Sequence, residues 1–229
     1  MDASVRVTGW AMVGFAVAFI GTFTANLAMT LFADVPRYPL AAEMQARSWD
    51  GLVFLLLWGT AGIALGVAAP ALSRVVWPDG GLAAQVSASF GAIAAAGWMF
   101  SGAAAFAQRT ALLNGNIAAV GADPAAERAV VEGLFVLVHV GGVLFALATV
   151  AWIAPVAVGA ARRVRMSRIG VAALWVAGVS PLLGFVVIGL QVGIFGTVLG
   201  LGLVGILLLR RWRRGAAAPA SAAAPAAAG

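Results

Sequence analysis

The chain has 229 residues, of which 63% are hydrophobic and only 10% charged, with a formal net charge of +6. Ordinary soluble domains carry roughly 25% charged residues, so a water-bathed globule is excluded and the solvent for most of this chain is lipid. Cysteine is absent, which excludes disulfides, thiolate metal sites and a cysteine nucleophile. All 14 basic residues are arginine, and with 29 glycines this composition fits a GC-rich bacterial genome.

Charge-free runs place the helices. The expected fold class is all-α: a polytopic six-helix transmembrane bundle over residues 1–214, with spans at about 8–32, 51–72, 82–106, 131–158, 169–188 and 191–209. Each approaches or exceeds the roughly 20 residues needed to cross a bilayer core. The run from Ile169 to Leu209 would make a single helix of roughly 62 Å, twice the hydrocarbon thickness. It therefore divides into two spans, with the turn expected near GLQVG at 189–193.

In span one, Thr22, Asn26, Thr30 and Asp34 recur every fourth residue and form a polar stripe rising to one surface. An asparagine facing lipid is costly, so the stripe is expected to face protein, as a hydrogen-bonded seam between helices or as the lining of a cavity. Arg6 ahead of this span also resembles the basic start of a signal peptide. The apolar run is longer than such peptides use and the cleavage motif is poor, so retention is expected.

Span two is preceded by AAEMQARSWDG. On a helix Glu43, Arg47 and Asp50 share one face, and Glu43 before Arg47 is the favourable order for an ion pair. These charges, with Trp49 as an anchor, mark where the helix leaves the membrane; one wall of a pocket is the sharper alternative. Gly62 and Gly66 in span two, like Gly196 and Gly200 in the last span, match the small-xxx-small packing pattern.

Span four begins ADPAAERAVVEG, with Asp123 as N-cap and Pro124 in the first helical position. The helix thus starts outside the membrane. Glu132 and His139, the sole histidine, are seven residues apart on one face, and His139 is roughly 10 Å deeper. An ionisable group within a span is a functional candidate unless a neighbour satisfies it structurally. A haem with two histidines, a zinc site and a serine triad through Ser87, Ser89, Ser101 or Ser180 all lack their partners or motifs. No cofactor and no metal is expected.

The passage ARRVRMSR before span five, and RRWRR after span six, complete an orientation pattern. With both termini in the cytoplasm, ten arginines lie inside (Arg6, Arg74, Arg162, Arg163, Arg165, Arg168, Arg210, Arg211, Arg213 and Arg214). Four lie outside: Arg37, Arg47, Arg109 and Arg128. All acids except Asp2 and Asp79 fall outside, as the positive-inside rule expects of a bacterial plasma (inner) membrane protein. Trp10, Trp77, Trp175 and Trp212 are then expected in an inner aromatic belt. The arginines serve orientation and anionic headgroups rather than nucleic acid. The tail 215–229, GAAAPASAAAPAAAG, is expected to be disordered.

In layout the chain resembles uncharacterised bacterial six-span membrane proteins grouped as a domain of unknown function. The likeness spans most of residues 7–214. It rests on the polar-flecked first span, the charged first outer loop, the long third loop, the APVAVGAARRVRMSRIGVAALWVAG passage and the LGLVGILLLRRWRR end. The resemblance implies the fold and carries no activity.

Three functions compete. A non-catalytic accessory or partner subunit is the leading expectation, in contact with membrane lipids and another membrane protein or a second copy. The alternative is a small intramembrane enzyme acting on a lipid or isoprenoid. Its acid/base candidates are Asp34, Glu43, Asp50, Glu132 and His139, and its ligand-binding candidates Asn26, Thr30, Arg47, Glu132 and His139. A small-solute transporter is the third. The enzyme reading requires the outer residues of spans one, two and four to converge on one cavity.

Overall fold

Lipid offers no partner to a bare peptide group, so every apolar run of this chain closes its backbone hydrogen bonds within a helix. The computed structural model describes residues 2–32, 48–113, 123–163, 166–184 and 190–217. Among them are six helices and no strand: α1 (Asp2–Phe32), α2 (Ser48–Val76), α3 (Leu82–Leu113), α4 (Pro124–Arg162), α5 (Arg168–Leu183) and α6 (Leu190–Ala217). Five are long and apolar enough to cross a membrane, and α5 is apolar but has 16 residues. The chain is an all-α, multi-pass membrane bundle.

Helix ends follow local chemistry. Between α2 and α3 the chain reverses over Trp77–Gly81, where the Gly80 N–H donates to Trp77 O at 3.0 Å. Gly80 and Gly81 have φ of 77° and 93°, the left-handed region in which a Cβ is strained. At α4 the Asp123 carboxylate accepts the Ala125 N–H at 2.9 Å, with Pro124 next in the chain. At α5 the Ser167 hydroxyl oxygen accepts the Gly170 N–H at 3.2 Å.

Each helix packs on the next, and α6 returns to α1, so the six close into a ring with α2 also touching α4 across it. Neighbours run antiparallel, which gathers the arginine-bearing ends on one side. There the Arg6 guanidinium lies 5.6 Å from the centroid of the Trp212 ring, a cation–π contact between α1 and α6.

The interior is filled rather than open. Toward the arginine end it holds Met12, Leu65, Leu72, Ile153, Leu174 and Leu201, all fully buried. Farther along, Trp98 of α3 meets Phe15 and Phe19 of α1, Trp58 of α2 and Phe145 of α4. Phe195 of α6 joins through Phe19 and Phe23. Among the described residues few side-chain polar bonds tie helix to helix: a reciprocal indole-to-carbonyl pair between Trp58 and Trp98, Ser73 Oγ to Ser87 Oγ at 3.0 Å, Ser101 Oγ to Val138 O at 2.8 Å, and Thr197 Oγ1 to Ala177 O at 2.9 Å. Such bonds are worth about 0.6 kcal/mol on average in a membrane, so close packing carries most of the cohesion. Gly62 and Gly66 lie against α3, and Gly196 and Gly200 against α5.

Three expectations change. Residues 190–193 of GLQVG are the first residues of α6, so the turn does not fall on these four, while Gly189 lies outside the described residues. Trp77 is not a belt residue: it is 7% exposed, and its indole lies over Gly159 of α4. Trp10 and Trp175 do lie on the outer surface. Helix α6 continues to Ala217, three residues into the stretch read as a tail, while residues 218–229 lie outside those described.

Candidate functional site

The candidate residues divide by helix. Asp34, Glu43, Arg37 and Arg47, with the Glu43–Arg47 pairing, lie outside the described residues, as does Arg165. Asn26, Thr30 and Asp50 belong to α1 and α2, but their side chains are also outside the described set. Thr22, at the base of the stripe, is 5% exposed, and its hydroxyl donates to Ala18 O at 2.8 Å. That bond is within α1, so at this position the stripe is not a seam between helices.

On α4 both expected residues are placed. At 100° per residue, His139 stands about 160° round the helix from Gly141, which touches α3. His139 is therefore exposed on the outer surface, and Glu132 shares that surface. The His139 ring engages its own helix, with Nδ1 3.0 Å from Phe135 O and the ring edge-on to Phe135 at 4.4 Å between centroids. His139 is neither a core histidine nor a group turned into the ring of helices. Helices α1 and α4 lie diagonally opposite in that ring. The other residues expected in an outward pocket with Glu132 and His139, namely Asn26, Thr30, Asp34, Glu43 and Asp50, have side chains outside the described residues.

Serine partners for His139 are also accounted for in part. Ser87 is bonded to Ser73, and Ser101 bonds Val138 O on the opposite side of α4 from the histidine. No group of three or more histidine, aspartate or glutamate side chains that could hold a metal occurs among the described residues.

Two features escaped the sequence reading. Glu127, in the first turn of α4, is a buried acid with 4% exposure, and Val131 one turn on is buried too. Counting back from Gly141 and Phe145 in steps of three and four residues reaches Val138, Val131 and Glu127, so the inward face was readable once the glycines were recognised as contact points. Deeper, Thr149 and Trp152 also face inward, and neither Thr149 Oγ1 nor Trp152 Nε1 makes a hydrogen bond. The Trp152 indole lies over Gly91 of α3. Nothing in the sequence distinguishes these two from ordinary span residues.

The outer face of α4 is thus the clearest chemical surface: Glu132, Val136, His139 and Val140 at i, i+4, i+7 and i+8, with Val136 60% and Val140 52% exposed. No protein-family model matches the chain, and no curated protein or solved structure is significantly similar to it.

Proposed function

We propose that the chain is a non-catalytic accessory subunit of a bacterial plasma membrane, which binds a membrane-protein partner through the outer face of α4. The observation that carries this reading is the length of α4 together with what its outer face displays. With 39 residues the helix is about 58 Å long, against about 30 Å of hydrocarbon. Arg162 and Arg163 hold one end at the membrane border, and His139 is about 35 Å from Arg162, at the opposite border. The helix therefore carries Glu132, Gly133, Val136 and Leu137 beyond the acyl chains. Helix α3, at 32 residues and about 48 Å, overhangs beside it.

An acid, an imidazole and two exposed valines on one stripe, with Leu137 exposed beside them, are not fully satisfied by water. Beyond the acyl chains water can hydrate the carboxylate and the imidazole, but it does not favour the exposed apolar rows beside them. A protein surface satisfies both. The packed aromatic interior favours a scaffold over a solute pathway.

A photo-crosslinking residue at Val136 should give one discrete protein adduct in native membranes. The same residue at Val17, exposed on α1, should give none. Glu132→Arg should reduce the Val136 adduct severalfold. Absence of a discrete adduct at both Val136 and Val140 would defeat the reading.

The arginine-rich end is placed in the cytoplasm by the positive-inside rule. Reporter fusions after Arg214 and within 114–122 should then report opposite compartments, the first cytoplasmic. A cytoplasmic signal from 114–122 would reverse the orientation and put the α4 overhang on the wrong side for an outward partner.

A further inference from the structure

The arginine-rich end also carries a groove of about 470 Å³ between the start of α5 and the last turns of α6. One wall is a single face of α6, with Val204 and Leu207 followed by Arg211 and Arg214. Their spacing of three, four and three residues keeps them in register on the helix. Along about 10 Å from Val204 to Arg211 the wall changes from hydrocarbon to guanidinium. The facing wall holds Ser167 and Gly170. Gly170 is buried, and a Cβ there would come within ordinary contact of Leu207, at 3.7 Å, so the missing side chain widens the floor. The Ser167 hydroxyl oxygen already accepts the Gly170 N–H, and its own O–H can donate to a further acceptor.

We infer that this groove is a binding site for one anionic glycerophospholipid. Arg211 and Arg214 grip the phosphodiester, Ser167 donates to it, and the start of one acyl chain lies along Leu207 and Val204. Guanidinium groups match phosphate oxygens in pairs, and basic pockets between helices at the membrane border suit anionic headgroups. Charge complementarity is strong: of the ten arginines assigned to this end, nine are among the described residues, against two acids, Asp2 and Asp79. The ordered change from apolar to basic along one wall follows the polarity of a lipid standing in its leaflet. A free phosphate would use only the upper half of the groove. The inference is independent of the α4 partner, which lies at the other end of the bundle.

The test uses the full chain in mild detergent, loaded with phosphatidylglycerol or phosphatidylcholine and read by native mass spectrometry. One phosphatidylglycerol should be retained in preference to phosphatidylcholine, and millimolar inorganic phosphate should not displace it. The double variant R211Q/R214Q should weaken retention about tenfold or more. R210Q/R213Q removes the same charge from positions that do not line the groove, and should weaken it less than about threefold. Gly170→Leu fills the floor without changing charge and should also reduce retention. Equal loss in the two arginine variants would show diffuse attraction to the whole end and overturn the site. So would equal retention of the two lipids, displacement by phosphate, or full retention by a folded Gly170→Leu. The four arginines are exposed, so their comparison decides the matter even where Gly170→Leu folds poorly.

Discussion

Gly141→Val should force α3 and α4 apart and lower the stability of the bundle by about 3 kcal/mol, the upper end of overpacking costs. An ideal Cβ at Gly141 falls 2.7 Å from Ser101 N and 2.8 Å from Gly97 O. At Gly97 it falls 2.7 Å from Phe145 N and 3.0 Å from Gly141 O. These neighbours are backbone, so no side-chain rotation relieves the clash; one helix has to move. Separation would also break the Ser101 Oγ bond to Val138 O, which depends on the same approach. Lipid is as apolar as the helix surfaces, so cohesion rests on contact itself, and lost contact is not offset by burial elsewhere. In detergent the variant should melt about 10 °C below the parent. Gly133→Ala is the control: no atom lies within 4 Å of its would-be Cβ. It should leave the isolated protein unchanged or stabilise it by about 0.5 kcal/mol. Equal melting of the two variants would mean that α3 and α4 do not cross closely at Gly97 and Gly141.

The spans were legible in the sequence because lipid allows little besides helices, and charge-free runs mark them directly. Which way each helix turns was not. In lipid both faces of a helix are apolar: Phe15 is fully buried and Val17 is 65% exposed, yet both are hydrophobic. Polarity therefore carries little information, and residue size carries more. His139 was read as a deep candidate from its depth and charge alone, whereas Gly141 two positions on fixes it to the outside. At GLQVG the two glycines divide, with Gly189 outside the described residues and Gly193 inside α6. Gly193 does not form the turn; it lets α6 pack closely on Ser180 and Gly184 at the end of α5. Trp77 looked like a border anchor because it ends a span, but Gly159 on the facing helix makes room for its ring inside. The start of α4 was readable from Asp123 and Pro124, and the facing of its acids only through Gly141, once that glycine is known to touch α3.

Trp98→Ala should be the second damaging change, costing about 3 kcal/mol, the low end for aromatic-to-alanine substitution because lipid weakens the transfer part while the packing part remains. Trp98 is 4% exposed and joins aromatic side chains of α1, α2 and α4 to α3. Its closest partner is Trp58, stacked at 4.7 Å with 23° between the planes. The two also exchange hydrogen bonds: Trp58 Nε1–H donates to Trp98 O at 2.7 Å, and Trp98 Nε1–H donates to Trp58 O at 3.1 Å. Each indole thus has its polar atom satisfied by the other residue's backbone, which removes the usual difficulty of burying tryptophan. Trp58→Phe keeps an aromatic ring and deletes one donor, so it should cost about 1 kcal/mol. A double-mutant cycle on Trp58→Phe and Trp98→Phe should show coupling of about 1 kcal/mol. Two indoles this close and nearly parallel should also give an exciton couplet in circular dichroism that either single variant abolishes while helix content stays constant. A Trp98→Ala variant that keeps the couplet, or melts with the parent, would remove Trp98 from the centre of the bundle and leave the ring of helices without its main lateral tie.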